Sequence, residues 1–175
     1  MKINSSLDIS YEHTTNNVMY PPQDIFEIYN SNKSNKLGTL VCHKSELALR
    51  PNYDKSVLAI DYLEVAVKNR GFGTRILKFA EEYSRQIGCN GYITVKSDVS
   101  FMPERLPHLF YRKFGFSTFD KKNDIKLDKF IIKNRNATIK DFPCLLMHYP
   151  PIRENITFRE RCIKVLQKIL KKITP

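Results

Sequence analysis

The apolar residues of this chain fall in short runs separated by polar, turn-forming stretches, and the period of each run predicts an element. Asp24–Tyr29 and Leu37–His43 are β-prone. The linker between them, from Asn30 to Lys36, is wholly polar, which predicts two antiparallel strands joined by a hairpin turn. Ser56–Val67 reads SVLAIDYLEVAV, β-branched and apolar enough for a central strand, and it runs into a turn that holds two glycines. From Gly73 the spacing changes: Ile76, Ala80, Tyr83 and Ile87 recur at i, i+4, i+7 and i+11, with Lys78, Glu81, Glu82 and Arg85 elsewhere. That is an amphipathic helix ending near Gly88. Gly91–Ser97 (GYITVKS) is the next strand. Strand, glycine turn, helix, strand make a βαβ unit, whose two strands are expected to lie parallel with a ligand at their C-terminal ends.

Beyond that unit, Pro107–Phe114 predicts a short helix stopped by Gly115, then β-prone Phe116–Phe119, a charged stretch to Lys140, and a strand near Cys144–Tyr149. Residues 1–22 are rich in Ser, Asn and Thr, show little period and close on Pro21-Pro22, so they read as a weakly ordered leader or an irregular first strand. The tail opens on a capping box, Thr157 with Glu160. Cys162, Val165, Leu166, Ile169, Leu170 and Ile173 then lie opposite Arg161, Lys164, Lys168, Lys171 and Lys172, a basic amphipathic helix. Its apolar stripe is expected to pack on its own domain or on a second copy in a homodimer, with an anionic membrane as the other option. The balance is α+β. The expected division is a leader over 1–22, a domain over 23–150 and a C-terminal helix over 151–175.

Composition narrows the classes. At 175 residues, 42% hydrophobic, with 11 Phe and 9 Tyr, the chain can bury one sizeable core. Its 29 Lys and Arg against 18 Asp and Glu leave a net charge of +11, which suits nucleic acid, anionic lipid, an acidic protein or a polyanionic cofactor. Cys42, Cys89, Cys144 and Cys162 form no CxxC, and His13, His43, His108 and His148 add no ligand spacing, so reduced thiols and no metal are expected. No run approaches the roughly 18 apolar residues of a spanning helix. The chain therefore reads as cytoplasmic, with a leader that exports it to another cell as the other reading. No zinc finger, RRM signature or recognition-helix pattern marks a dedicated nucleic-acid binder.

Two motifs carry chemistry. In Lys68-Asn-Arg-Gly-Phe-Gly-Thr74, between a strand and a helix, the N–H groups near Gly71, Gly73 and Thr74 sit at a helix N-terminus, with Lys68 and Arg70 adding positive charge. That combination is an anion site suited to a pyrophosphate, although a tight turn that merely needs small residues has the same look. Leu109-Phe-Tyr-Arg-Lys-Phe-Gly-Phe116 is the second. With the first it resembles the GCN5-related N-acetyltransferase family over roughly Asp24–Tyr149. The glycine loop is similar to the family's CoA loop (Gln or Arg, two residues, Gly, one residue, Gly or Ala), with Lys68 in the Gln/Arg position. Phe110-Tyr111 through Gly115-Phe116 is similar to its F-Y-x-x-x-G-F signature.

This resemblance implies a three-layer fold with a mixed, mostly antiparallel sheet, flanked by helices and splayed at one parallel pair, here Ser56–Val67 and Gly91–Ser97. It implies acetyl-CoA as co-substrate, wedged in the splay and held by main-chain groups around Val65 and Val67. The loop of Lys68, Asn69, Arg70, Gly71, Phe72, Gly73 and Thr74 would take the pyrophosphate, and Ser97 would contact CoA or the acceptor. Tyr111 inherits the role of protonating the departing thiolate; a purely core aromatic is its alternative. Because an ammonium is no nucleophile, a base is required. Glu64 and Asp61 are the candidates, and three positions apart they face opposite sides of a strand unless a bulge intervenes. The acceptor implied is a protein amine or aminoacyl-tRNA recruited by the basic surface. A catalytically degenerate CoA-binding domain, or a basic partner- or nucleic-acid-binding module, is the rival.

Overall fold

The computed structural model describes residues 8–46, 56–97, 107–135, 138, 140–142 and 144–151. Seven strands form one sheet in the order β1-β2-β3-β4-β5-β7-β6. In chain order these are β1 (Ile9–Asn16), β2 (Gln23–Asn30), β3 (Lys36–Ser45), β4 (Val57–Val65), helix α1 (Phe72–Gln86), β5 (Ile93–Ser97), helix α2 (His108–Phe114), β6 (Ser117–Thr118), helix α3 (Lys121–Ile132) and β7 (Leu145–Tyr149). The β4–β5 pair is parallel, while the β1–β2, β2–β3, β3–β4, β5–β7 and β6–β7 pairs are antiparallel. The fold is therefore α+β, a mostly antiparallel mixed sheet with one parallel pair, as the resemblance implied. The tail helix expected from Thr157 lies outside the described residues.

The core lies between the sheet and α1. Ile76, Leu77, Phe79, Ala80 and Tyr83 bury the apolar face of α1 against Phe26, Ile28, Leu40, Leu58 and Ile60. Each buried Ile, Leu or Phe among these contributes about 1.5–3 kcal/mol on leaving water, and Ala80 less. Phe26 is central: its ring centroid is 5.1 Å from Phe79, 4.7 Å from Tyr83 and 4.5 Å from His13. Tyr83 then donates its hydroxyl to Asp24 at 2.6 Å, fixing the helix to β2. This packing makes a strand of the polar stretch Ile9–Asn16. Ile9 is buried, Tyr11 packs edge-on to Phe26, and His13 contacts Asp24 at 2.8 Å.

Two features differ from the pattern-based reading. The charged stretch after Phe119 contains α3, capped by Asp120, whose carboxylate accepts the Lys122 N–H at 2.8 Å. Only Leu127 of this helix is fully buried, while Ile125 and Ile132 face outward, so its apolar stripe is too thin to show as a period. The second is in β4. Val41 pairs with Tyr62 but Cys42 pairs with Ile60, which leaves Asp61 as an extra residue, a β-bulge.

Candidate active site

The parallel pair does not run to its ends. β4 and β5 are matched at Leu58–Ile93, Ala59–Thr94 and Ile60–Val95. From Asp61 onward β4 leaves β5, while Lys96 and Ser97 continue their pairing with β7. The result is a V-shaped gap that begins at the bulge. Along its β4 side, Ala66 donates its N–H to Leu37 at 2.9 Å, on the β3 side. Strand alternation then turns the main chain of Val65 toward the gap, while Val67 lies beyond the end of β4.

The bulge also decides where the two carboxylates go. Leu58 and Ile60 before it, and Leu63 and Val65 after it, all pack on the α1 side. Asp61, Tyr62 and Glu64 consequently all lie on the opposite face, where a regular strand would have separated Asp61 from Glu64. Asp61 is engaged there by His43 Nδ1 at 2.7 Å and Gln23 Nε2 at 3.0 Å. Glu64 lies beside Tyr62, whose phenol is raised by desolvation and then by the Glu64 charge. Gly38 makes the approach of β3 possible, since a Cβ there would sit 2.0 Å from the Glu64 carbonyl oxygen.

At the head of α1, Gly71 is the N-cap with φ 74° and no side-chain cap. The first-turn N–H groups of Phe72, Gly73 and Thr74 thus have no side-chain acceptor from that cap, and no acidic residue lies in the turn. A Cβ on Gly71 would meet nothing within 4 Å, so this position opens to solvent. Gly73 serves a different purpose: a Cβ there would lie 2.8 Å from Phe110 Cζ, so glycine lets α2 seat on the first turn of α1. Lys68, Asn69 and Arg70 are exposed in the loop before it, with Asn69 at φ 61°. Beside the first turn of α1, a groove of about 400 Å³ is lined by Thr74, Lys78, Glu81, Phe110, Lys113, Phe114 and Tyr149, so a carboxylate shares it with the two lysines.

Tyr111 is buried on α2, its ring 5.2 Å from Phe110 and 5.4 Å from Phe116. Burial raises its phenol well above the ordinary tyrosine value, so the proton stays on at neutral pH. Tyr111 belongs to the core cluster that α1 shares, whereas Glu64 lies on the opposite face of β4. Ser97, at the end of β5, is also buried; its hydroxyl pairs with His108 Nδ1 at 3.0 Å and its carbonyl accepts the Cys144 thiol at 3.0 Å. Reading the sequence did not single out His108, Gly38 or Lys113 as site residues. His108 precedes Tyr111 by one helical turn, and that spacing is the signal that could have found it. Among the described residues, no three His, Cys, Asp or Glu side chains gather into a metal site. No helix of the described residues is long and apolar enough to cross a membrane.

No family model and no curated protein sequence matches the chain. The chain is similar to several solved structures, three of which follow. The Bacillus subtilis N-acetyltransferase YlbP in complex with coenzyme A is 17% identical with a TM-score of 0.44, over 73% of this chain and 67% of that one. A GCN5-related glucosamine N-acetyltransferase region of a fungal multi-domain GH3 β-N-acetylglucosaminidase is 19% identical with a TM-score of 0.41, over 57% of this chain and 12% of that one. Arabidopsis thaliana Naa50, bound to the bisubstrate analogue CoA-Ac-MVNAL, is 18% identical with a TM-score of 0.40, over 71% and 70%.

Proposed function

We propose that this chain is an acetyl-CoA-dependent N-acetyltransferase that acts by direct attack of an amine on the thioester. The observation that carries the reading is the gap between β4 and β5, which opens at the bulge onto the glycine turn heading α1. A cofactor with a pyrophosphate and a long amide-bearing arm fits that sequence of groups. The uncapped N–H groups of Phe72, Gly73 and Thr74 suit the pyrophosphate. The Val65 and Val67 main chain suits the amides of the arm, and the adjoining groove, where Lys78 and Lys113 outnumber Glu81, keeps a net positive charge for a further phosphate. When bound there, acetyl-CoA would supply the activated acyl carbonyl.

The residues then divide by face. Tyr111 keeps its proton and donates it to the thiolate sulfur as the thioester breaks. Glu64, on the opposite face, accepts the proton lost by the amine, either directly or through water. Asp61, already held by His43 and Gln23, orients that side of the gap. Ser97 is buried and engages its hydroxyl with His108, so it is assigned to that bond and not to the cofactor. The acceptor is a protein amine or an aminoacyl-tRNA.

Transfer of labelled acetyl from acetyl-CoA to lysine-bearing or N-terminal peptides and to aminoacylated tRNA, run side by side, tests this. Label in one class identifies the acceptor. Cofactor binding with no label anywhere would favour the non-catalytic CoA-binding domain.

A further inference from the structure

We infer that His108 is a positioning residue: through Ser97 it ties the helix that carries Tyr111 to the β5 limb of the gap, and so sets where the Tyr111 hydroxyl lies. The inference rests on the acetyltransferase reading above.

α2 has seven residues, about 10 Å of helix at 1.5 Å per residue. So short a helix has no stability of its own and sits where its tertiary contacts hold it. Its C-terminal half is well held. Arg112 grips Asp128 with Nε at 2.7 Å and Nη2 at 2.8 Å, and its Nη1 reaches the Phe116 carbonyl at 3.0 Å and Ser117 Oγ at 2.9 Å. Its N-terminal turn starts at Pro107, which supplies no side-chain cap. There the tie to the sheet is His108, wholly buried, with Nδ1 3.0 Å from Ser97 Oγ.

Tyr111 lies between these two anchors, one turn after His108 and on the same face of the helix. Its ring is held by packing against Phe110 and Phe116, so its hydroxyl follows the helix. Ser97 is the last residue of β5, at the open end of the gap. The Ser97–His108 bond therefore links the width of the gap to the placement of the acid. A displacement of about 1 Å at a reacting group is enough to cost on the order of 100-fold in rate.

The test measures acetohydroxamate formed from acetyl-CoA and hydroxylamine, a nucleophile that is unprotonated at pH 7 and bypasses the base. The variants are His108→Leu, His108→Asn, Ser97→Ala and each combined with Tyr111→Phe. His108→Leu and Ser97→Ala are expected to lower kcat roughly 10- to 100-fold, with KM for acetyl-CoA within about two-fold. His108→Asn, which keeps a polar atom near the Nδ1 position, recovers most of the rate. In the Tyr111→Phe background neither change costs anything further, because the residue through which they act is gone. Losses that multiply with Tyr111→Phe, or an Asn variant no better than Leu, overturn the inference. So does a Ser97→Ala protein with raised KM and intact kcat, which would make Ser97 a cofactor contact. If His108→Leu does not fold, Ser97→Ala carries the same comparison. A wild type that forms no acetohydroxamate fails before any variant is compared; that result strikes the acetyltransferase reading, and the inference falls with it.

Discussion

Replacing Tyr111 with Phe separates chemistry from packing. The side chain is 6% exposed, and its ring meets Phe110 and Phe116 at 5.2 and 5.4 Å. Phe preserves those contacts and removes one oxygen, so the stability change is at most about 1 kcal/mol, or roughly 2 to 4 °C in Tm for a chain of this size. The hydroxyl is assigned the proton that the leaving thiolate takes up. General-acid catalysis contributes about 10²- to 10⁴-fold, or about 2.7 to 5.4 kcal/mol of barrier at 1.36 kcal/mol per decade. The effect on turnover should therefore exceed the effect on folding severalfold in free energy. CoA release, followed with a thiol-reactive chromophore, reads kcat; the Tm shift caused by acetyl-CoA reads binding. The expected result is a kcat lower by about 10²- to 10⁴-fold, with Tm and cofactor affinity nearly unchanged. A kcat within about three-fold of wild type would remove Tyr111 from the acid role and leave it a core aromatic.

Gly71→Val forces a β-branched residue into φ 74° and puts a side chain where an anion would approach, so the Tm response to acetyl-CoA should vanish. A retained response would refute the loop assignment. Gly73→Ala brings a Cβ to 2.8 Å from Phe110 Cζ and should cost about 1 to 3 kcal/mol as overpacking. Adding Phe110→Leu should restore part of that Tm loss, and additive losses would show that the two residues do not meet. Arg112 holds the Asp128 carboxyl below its ordinary range. A carboxylate with a lowered folded-state pKa stabilises above its unfolded value of about 3.9 and loses that contribution as pH falls through the folded one. The Tm difference between wild type and Asp128→Asn should thus be steady from pH 5 to 8 and shrink below about pH 4. Because Asp128 is about half exposed, the difference should be small throughout.

The elements that read clearly were those whose burial follows one period. α1 repeats its apolar face over four turns, and β2, β3, β5 and β7 are short apolar runs with polar boundaries. What showed only as one option, or not at all, was settled by partners far along the chain. Ile9–Asn16 is polar because its outer face meets solvent, and what makes it a strand is the Phe26 and Phe79 cluster that Tyr11 and His13 join. α3 buries little but Leu127, so no stripe announces it. At the site, the glycine turn and the F-Y-x-x-x-G-F stretch were legible because backbone conformation and local sequence define them. The bulge at Asp61 was not. It is a mismatch between β3 and β4, and a count along one strand carries no information about its neighbour's register. For the same reason the shared face of Asp61 and Glu64, the bond from His108 to Ser97 and the seat of Phe110 on Gly73 became visible only once the elements were placed together.

If the gap and glycine turn bind acetyl-CoA, thermal unfolding with and without saturating acetyl-CoA must differ. A ligand at about 100 times its Kd adds about 2.7 kcal/mol, which for a chain of this length is roughly 5 to 11 °C. A rise of that size is expected in the wild type, and its loss in Gly71→Val. An unchanged Tm in the wild type would contradict that binding.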